Sequence, residues 1–462
     1  MTLSILASAV TRTRRLFRQT AVEVVLAATV FLFALGSSSA SALARLGGPG
    51  RWASLLLLCA LAVLCAIADG RRPSTIPLGW TLAAALVLVG VVSAAWSVAP
   101  RLTTERVFTL GVLFVTAVAL ALADPDPKVA AARVLRGVLA GIAAVAVGSL
   151  VILVVDHHNA VLPATAGAGW RFQGIGENPN TDSMLLAVGL PLAVWLGLVG
   201  RRWERPAGLV LLLLFAGEIA VSGSRGAVLA GFGGALLTAL VLGSTVRMKL
   251  AVGAGLVVLA GACVATSRLQ HPASLAASAG AAAAAVSGSS ATVKTKGMDA
   301  DGSLRLEDEL GHPLLGGYRP PVARTLLGSS GRAQAWVGAA DQGAQRPLLG
   351  YGFGTENRVF VDRFYAFQGG FPENSYLGTF LQLGAAGLAL LVGLFLTLGW
   401  NAFSALRRGA GGPAAAAAGV LLAAILIGLS QSGITSVGNI AIASIWVCVL
   451  TLPALAAAGG RS

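Results

Sequence analysis

Three separated residues carry the chemistry this sequence offers: Arg225 in VSGSRGAVLAGFGG, Arg332 in SSGRAQAWVGAADQ and Glu373 in FPENSYLGTFLQLGAAGL. An arginine is permanently charged and can grip two oxygens of a phosphate at once, which suits it to neutralising a phosphorylated leaving group. A carboxylate whose pKa is raised by burial can take a proton from an attacking hydroxyl. Each residue also has an ordinary explanation. An arginine at a membrane helix end snorkels to the head groups, and a carboxylate ahead of an apolar helix complements its macrodipole.

Around these three lie residues suited to binding. In WRFQGIGENPNTDSMLLAVGLPLA, Arg171 follows Trp170, and Asn178, Pro179 and Asn180 make a turn before a helix capped by Thr181 or Asp182. Ser224 is placed to cap the helix that Arg225 opens, and such an N-terminus is itself an anion seat. Helix formers after SSG put Arg332 and Trp336 at i and i+4 on one face. Asn374 is a candidate cap for the helix after Glu373, and Tyr376 falls in its first turn. The glycine-rich GYGFG, residues 350–354, follows no strand and carries no GK[ST], so it is not a nucleotide loop. His157, His158, His271 and His312 are not spaced for a metal, and no cofactor is implied. The cysteines Cys59, Cys65, Cys263 and Cys448 all fall in apolar runs and form no metal or disulfide pattern.

The elements that must position these groups are membrane helices. The chain is 56% hydrophobic and only 11% charged, far from a soluble domain. Apolar windows long enough to cross ~30 Å of hydrocarbon occur about twelve times, near 20–36, 52–69, 76–99, 105–123, 132–155, 183–200, 207–221, 226–243, 249–267, 375–402, 413–431 and 436–457. They lack the alternation of a β-barrel, so the expected fold is all-α and polytopic. Spans one to nine occupy 1–267, a long loop 268–374, and the last three spans 375–462. Within the loop, the Ala/Ser/Gly-rich 268–300 reads as a flexible tether. The aromatic-rich 301–374, with Trp336, Tyr351, Phe353, Phe360, Phe364, Tyr365, Phe367 and Phe371, reads as an ordered cap.

Basic residues set the orientation. Arg12, Arg14, Arg15, Arg18, Arg71, Arg72, Lys128, Arg133, Arg136, Arg201, Arg202, Arg205, Arg247, Lys249, Arg407, Arg408 and Arg461 fall on one side. The short loops of the other side hold only Arg45, Arg51, Arg101, Arg106, Arg171 and Arg225. Both termini are therefore expected in the cytoplasm, with Arg225, Arg332 and Glu373 on the outside. The net charge of +14 follows mostly from this topology, so nucleic acid is not the expected partner. TRTRRLFR and its apolar run resemble a signal peptide without a cleavage site, and are expected to remain as the first helix.

In order along the chain stand the Asn-Pro-Asn turn, Ser-Arg-Gly, Gly-Arg with Trp336 and PLLGYGFG, and ENSYLGTFLQLGAAGL. This set, with its topology, resembles the O-antigen ligase and polymerase superfamily, membrane glycosyltransferases similar to the GT-C class. The resemblance runs from about Arg171 to Leu388. It implies that Arg225 and Arg332 hold the diphosphate of a polyprenyl-diphosphate-linked glycan donor. In the ligases a histidine followed by Asn or Ser opens the span after the loop and activates the acceptor hydroxyl; Glu373 and Asn374 stand there in this chain. The expected activity is a metal-independent, inverting transfer of a glycan to a saccharide or glycolipid acceptor on the outer side of the cytoplasmic membrane.

A rival of another class is a transporter or flippase for a lipid-linked or polyanionic solute. It would want ionisable groups near mid-membrane, where Glu23 and Glu218 are the nearest candidates, and the sequence shows no inverted-repeat pair of broken helices. A sensor or scaffold would leave the arginines and Glu373 dispensable.

Overall fold

The computed structural model describes residues 2–70, 73, 75–163, 170–269, 294–298, 304–307, 332–360 and 370–458. Most of the expected tether, His271, His312, Phe364, Tyr365 and Phe367 lie outside the described residues. Among the described residues, eleven helices are long and apolar enough to cross a membrane. The chain is an all-α multi-pass membrane protein.

The first nine span-length helices are α1 (Thr2–Gly36), α2 (Ser41–Asp69), α3 (Leu78–Val92, prolonged by a 3-10 turn), α4 (Pro100–Leu122), α5 (Pro127–Val155), α6 (Pro179–Val199), α7 (Glu204–Ser222), α8 (Arg225–Leu242) and α9 (Val246–Leu269). A shorter helix, α10 (Arg332–Gly343), precedes α11 (Ser375–Arg407) and α12 (Gly411–Ser430). Strand pairing is slight. Two-residue strands β1 (Val161–Leu162) and β2 (Arg171–Phe172) pair antiparallel, as do β3 (Lys294–Met298) and β4 (Leu304–Glu307).

The expected twelfth span is shorter than its window. It comprises α13 (Ile442–Val449) and α14 (Leu452–Ala458), a 17-residue apolar stretch. Two causes are visible. Pro453 has no N–H to continue the helical ladder. Upstream, Gly433 and Ile434 donate to Ser375 Oγ at 3.0 and 3.1 Å, which draws the 432–441 segment into a loop around the start of α11.

The most buried spans are α6 and α12, and α9 lies at the rim: 83% of the best α6 window is buried against 17% for α9. Small residues let the central helices approach closely, which in lipid substitutes dispersion contacts for the missing hydrophobic drive. A Cβ on Gly234 of α8 would lie 2.4 Å from the Gly419 carbonyl oxygen of α12, and one on Gly208 of α7 would lie 2.4 Å from the Gly197 amide of α6. At one end of the bundle Arg133 pairs with Glu23 at 3.3 Å and with Asp124 at 3.5 Å, and Arg136 with Glu204 at 3.3 Å. The residues singled out in the sequence gather at the other end.

One helix is broken. Gly384, at φ 62° and ψ −160°, interrupts α11, and the segment 347–352 fills the gap. Tyr351 and Gly352 donate backbone N–H groups to the carbonyls of Leu381 and Gln382 at 2.9 and 2.8 Å. On the far side of the break, Ala385 donates to Pro347 at 2.7 Å. The PLLGYG stretch thus replaces a turn's worth of helix hydrogen bonds that lipid could not satisfy.

Candidate functional site

The site end is assembled from helix termini. Asn178 caps α6: its Oδ1 accepts from the Asn180 and Thr181 amides at 2.9 and 3.1 Å, and its own N–H reaches Thr181 Oγ1, completing a capping box. Asn180 takes a different part, accepting from Arg171 Nη2 at 2.7 Å. Arg171 Nε donates to the Ser222 carbonyl at 2.7 Å, so this buried guanidinium staples β2 to the start of α6 and the end of α7. Ser183 Oγ donates to Ser222 Oγ at 2.8 Å and ties the same two helices.

That staple fixes the turn carrying the first arginine. α7 ends at Gly223 in the left-handed region (φ 64°), and Ser224 precedes α8, whose first residue is Arg225. Ser224 holds the N-cap position but makes no side-chain cap hydrogen bond. The head of α8 abuts the end of α12, where a Cβ on Gly226 would fall 2.5 Å from Ser430 Oγ.

Across that end of α12 stands the start of α11. Asn374 is its N-cap: Oδ1 accepts from Tyr376 and Leu377, each at 3.0 Å, and Nδ2 donates to the Leu429 carbonyl at 3.3 Å. Tyr376 OH donates to the Ile425 carbonyl at 3.0 Å, and Ser375 Oγ to the Gln431 carbonyl at 2.7 Å. These polar groups therefore bind α11 to α12.

Glu373 is placed differently. Among the described residues it is the only non-glycine with positive φ, at 52°. A bulky side chain there costs roughly 1–3 kcal/mol and persists only when its surroundings hold it. Its Oε2 is shielded from solvent and accepts no hydrogen bond from a described group. Arg332 Nη2 lies 3.9 Å away. Burial pushes the Glu373 carboxyl up to about 7, and the Arg332 charge pulls it partly back. Burial also lowers the Arg332 pKa; Glu373 raises it and the like charge of Arg225 lowers it, which puts both arginines within electrostatic reach of one another. The structure thus brings Arg225, Arg332 and Glu373 to one place.

Arg332 opens α10, whose Ala335 and Ala339 pack against Leu381 of α11 and against Phe360, which follows the short turn 356–359. Trp336, one turn on, is half-buried, with an Nε1 that donates to no described atom.

A further carboxylate escaped the sequence reading. Glu356, in GYGFGTEN, is fully buried and accepts from Ser432 Oγ at 2.7 Å and Gln382 Nε2 at 3.0 Å. Burial raises it to about 7; Ser432, Arg106 and Gln382 lower it, and Glu373 raises it. Gly378 of α11 makes the room, since a Cβ there would lie 2.4 Å from Glu356 Oε1. Arg106 of α4 holds the same turn through the Gly354 carbonyl and Asn357 Oδ1. The signal available in the sequence was a carboxylate two residues after the glycine-rich GYGFG, whose Gly350, Gly352 and Gly354 take φ of 64°, 108° and 77° in the structure.

Two acids lie just inside the helices. Asp182 is in the first turn of α6 and Glu218 in the last turn or so of α7, both buried, and neither Glu218 oxygen has a hydrogen-bond partner among the described groups. Beside Arg171 an apolar cleft is lined by Leu153, Val161, Trp170, Phe172 and Val221 with His157 and His158. In comparisons with known proteins, no family model matches the chain and no curated protein matches it.

Proposed function

We propose that this protein is a membrane glycosyltransferase of the O-antigen ligase and polymerase type, moving a glycan from a polyprenyl-diphosphate carrier to a saccharide or glycolipid acceptor. The observation that carries the reading is the strained, half-buried Glu373, whose Oε2 accepts no hydrogen bond from a described group and lies 3.9 Å from Arg332, with Arg225 near by. A structural ion pair needs no left-handed backbone, whereas a base held toward a reacting hydroxyl benefits from one.

In this mechanism the acceptor oxygen bonds to the anomeric carbon as that carbon's bond to the diphosphate oxygen breaks. The electron pair leaves on the diphosphate, where Arg225 and Arg332 neutralise the growing charge. Glu373 takes the hydroxyl proton; attack from the face opposite the leaving group inverts the anomeric centre. The active site lies on the outer side of the cytoplasmic membrane, where carrier-linked sugars replace nucleotide sugars. The apolar cleft beside Arg171 gives a carrier chain a lateral approach.

Asp182 and Glu218 bear on the transporter reading, since buried ionisable groups in spans mark ion or solute paths. Both sit within about 8 Å of the site end at ~1.5 Å per residue, not near mid-membrane. That placement favours the enzyme. The deciding experiment gives the purified protein defined polyprenyl-diphosphate glycans and weighs the products. Chain-length doubling identifies a polymerase, transfer to another lipid or a protein identifies a ligase, and an unaltered donor that crosses a vesicle overturns the proposal in favour of transport.

A further inference from the structure

Glu373 owes its conformation to something, and the hydrogen bonds around it run in one chain. Gly354 N–H donates to Gln382 Oε1 at 2.7 Å, and Gln382 Nε2 donates to Glu356 Oε2 at 3.0 Å. From the other side, Asn374 N–H donates to Ser432 Oγ at 3.3 Å, and Ser432 Oγ donates to Glu356 Oε1 at 2.7 Å. Glu356 is the one member that only accepts, so both arms point at it. The Asn374 amide belongs to the peptide bond that leaves Glu373. The backbone that carries Ser432 is held by Ser375 Oγ, which bonds to Gln431, Gly433 and Ile434, and this leaves the Ser432 hydroxyl to be oriented by Glu356.

We propose that Glu356, acting through Ser432, is the positioning residue for Glu373: it locks the Glu373–Asn374 peptide so that residue 373 stays left-handed and its carboxylate faces Arg332. The inference rests on the glycosyltransferase reading for its activity arm only. A hydroxyl whose hydrogen is held by a buried acceptor presents its lone pairs in one direction, whereas one left to rotate does not. Linked bonds in a buried chain also strengthen one another. No other described non-glycine residue has positive φ, and this device ends on its peptide.

The test uses the full-length protein in detergent or nanodisc with four variants: Ser432→Ala, Glu356→Gln, Gln382→Glu, and the swap Glu356→Gln with Gln382→Glu. The swap restores a donor facing an acceptor between positions 356 and 382 while moving the negative charge off residue 356. Ser432→Ala and Glu356→Gln are expected to lower kcat on the order of 10- to 100-fold with KM little changed, as misplacing a reacting group by about 1 Å does. Amide exchange in the peptide spanning 371–377 should quicken in both, and the swap should recover most of the rate and the protection. Wild-type rate and exchange in Ser432→Ala would overturn the proposal. So would a swap that recovers protection without recovering rate, since the charge at 356 would then act directly. Should Glu356→Gln fail to fold, Ser432→Ala decides alone. If wild-type protein transfers no glycan, the functional reading fails, and the exchange measurements still test the positioning.

Discussion

At the scale of single residues, the arrangement separates groups that build the site from groups left to react. Asn178, Asn374, Tyr376 and Arg171 each have hydrogen bonds to backbone or cap partners, whereas the Glu373 Oε2 edge accepts none from a described group. Arg225→Ala and Arg332→Ala should each lower turnover on the order of 100-fold or more with folded yield retained, measured by product mass in initial-rate assays. A base must be deprotonated, so kcat/KM should climb as pH rises through about 7, the value to which burial lifts Glu373. Arg332→Ala removes the cation that lowers this pKa, so the residual activity should show its limb displaced to higher pH. Glu373→Gln should abolish the limb. The sequence exposed Arg225, Arg332 and Glu373 because their types suit the chemistry. Glu356 stayed hidden because its importance comes from Ser432 and Gln382, which no local pattern joins to it.

Among the elements, the long apolar helices were legible because hydropathy at span length admits one structure in lipid. The capping of α6 and α11 was legible too, from asparagine in the position that caps favour. The break in α11 was not, since GTFLQLGAAGL has the composition of a continuous membrane helix and only PLLGYG, about thirty residues earlier, makes an interruption tolerable. The same ignorance of partners made the last span look longer than it is. Gly384→Ala should therefore be costly: φ is 62° and the new Cβ would lie 2.3 Å from the Leu348 carbonyl carbon. We expect a stability loss of about 1–3 kcal/mol or more from the backbone strain alone, read as a lowered thermal midpoint in detergent. Asn374→Ala, which deletes a cap without a clash, should cost about 1 kcal/mol.

For the whole molecule, the charge pattern predicts which end faces out. Ala333 on α10 and Arg202 before α7 are both exposed and lie at opposite ends of the bundle. In intact cells a membrane-impermeant maleimide should label Ala333→Cys at once and Arg202→Cys only after permeabilisation. Cys65, Cys263 and Cys448 are buried and Cys59 is half-buried within α2, so the wild-type chain labelled in parallel supplies the background. The reverse pattern would move the site to the cytoplasm and remove the reason for using a carrier-linked donor.

The gap in α11 has a mechanical corollary. Because residues 347–352 are laced into it by backbone bonds on both sides of Gly384, the C-terminal part of the long loop is sewn to the helix that follows it. Tension applied upstream, by a bulky substrate or a tag inserted near residue 300, would be absorbed at that seam before it reached Glu356 or Glu373. A chain cut near residue 300 should purify as two fragments held together by the packing of α8 on α12, and the seam should keep Glu356, Glu373 and Arg332 in register on the second piece, with Arg225 on the first.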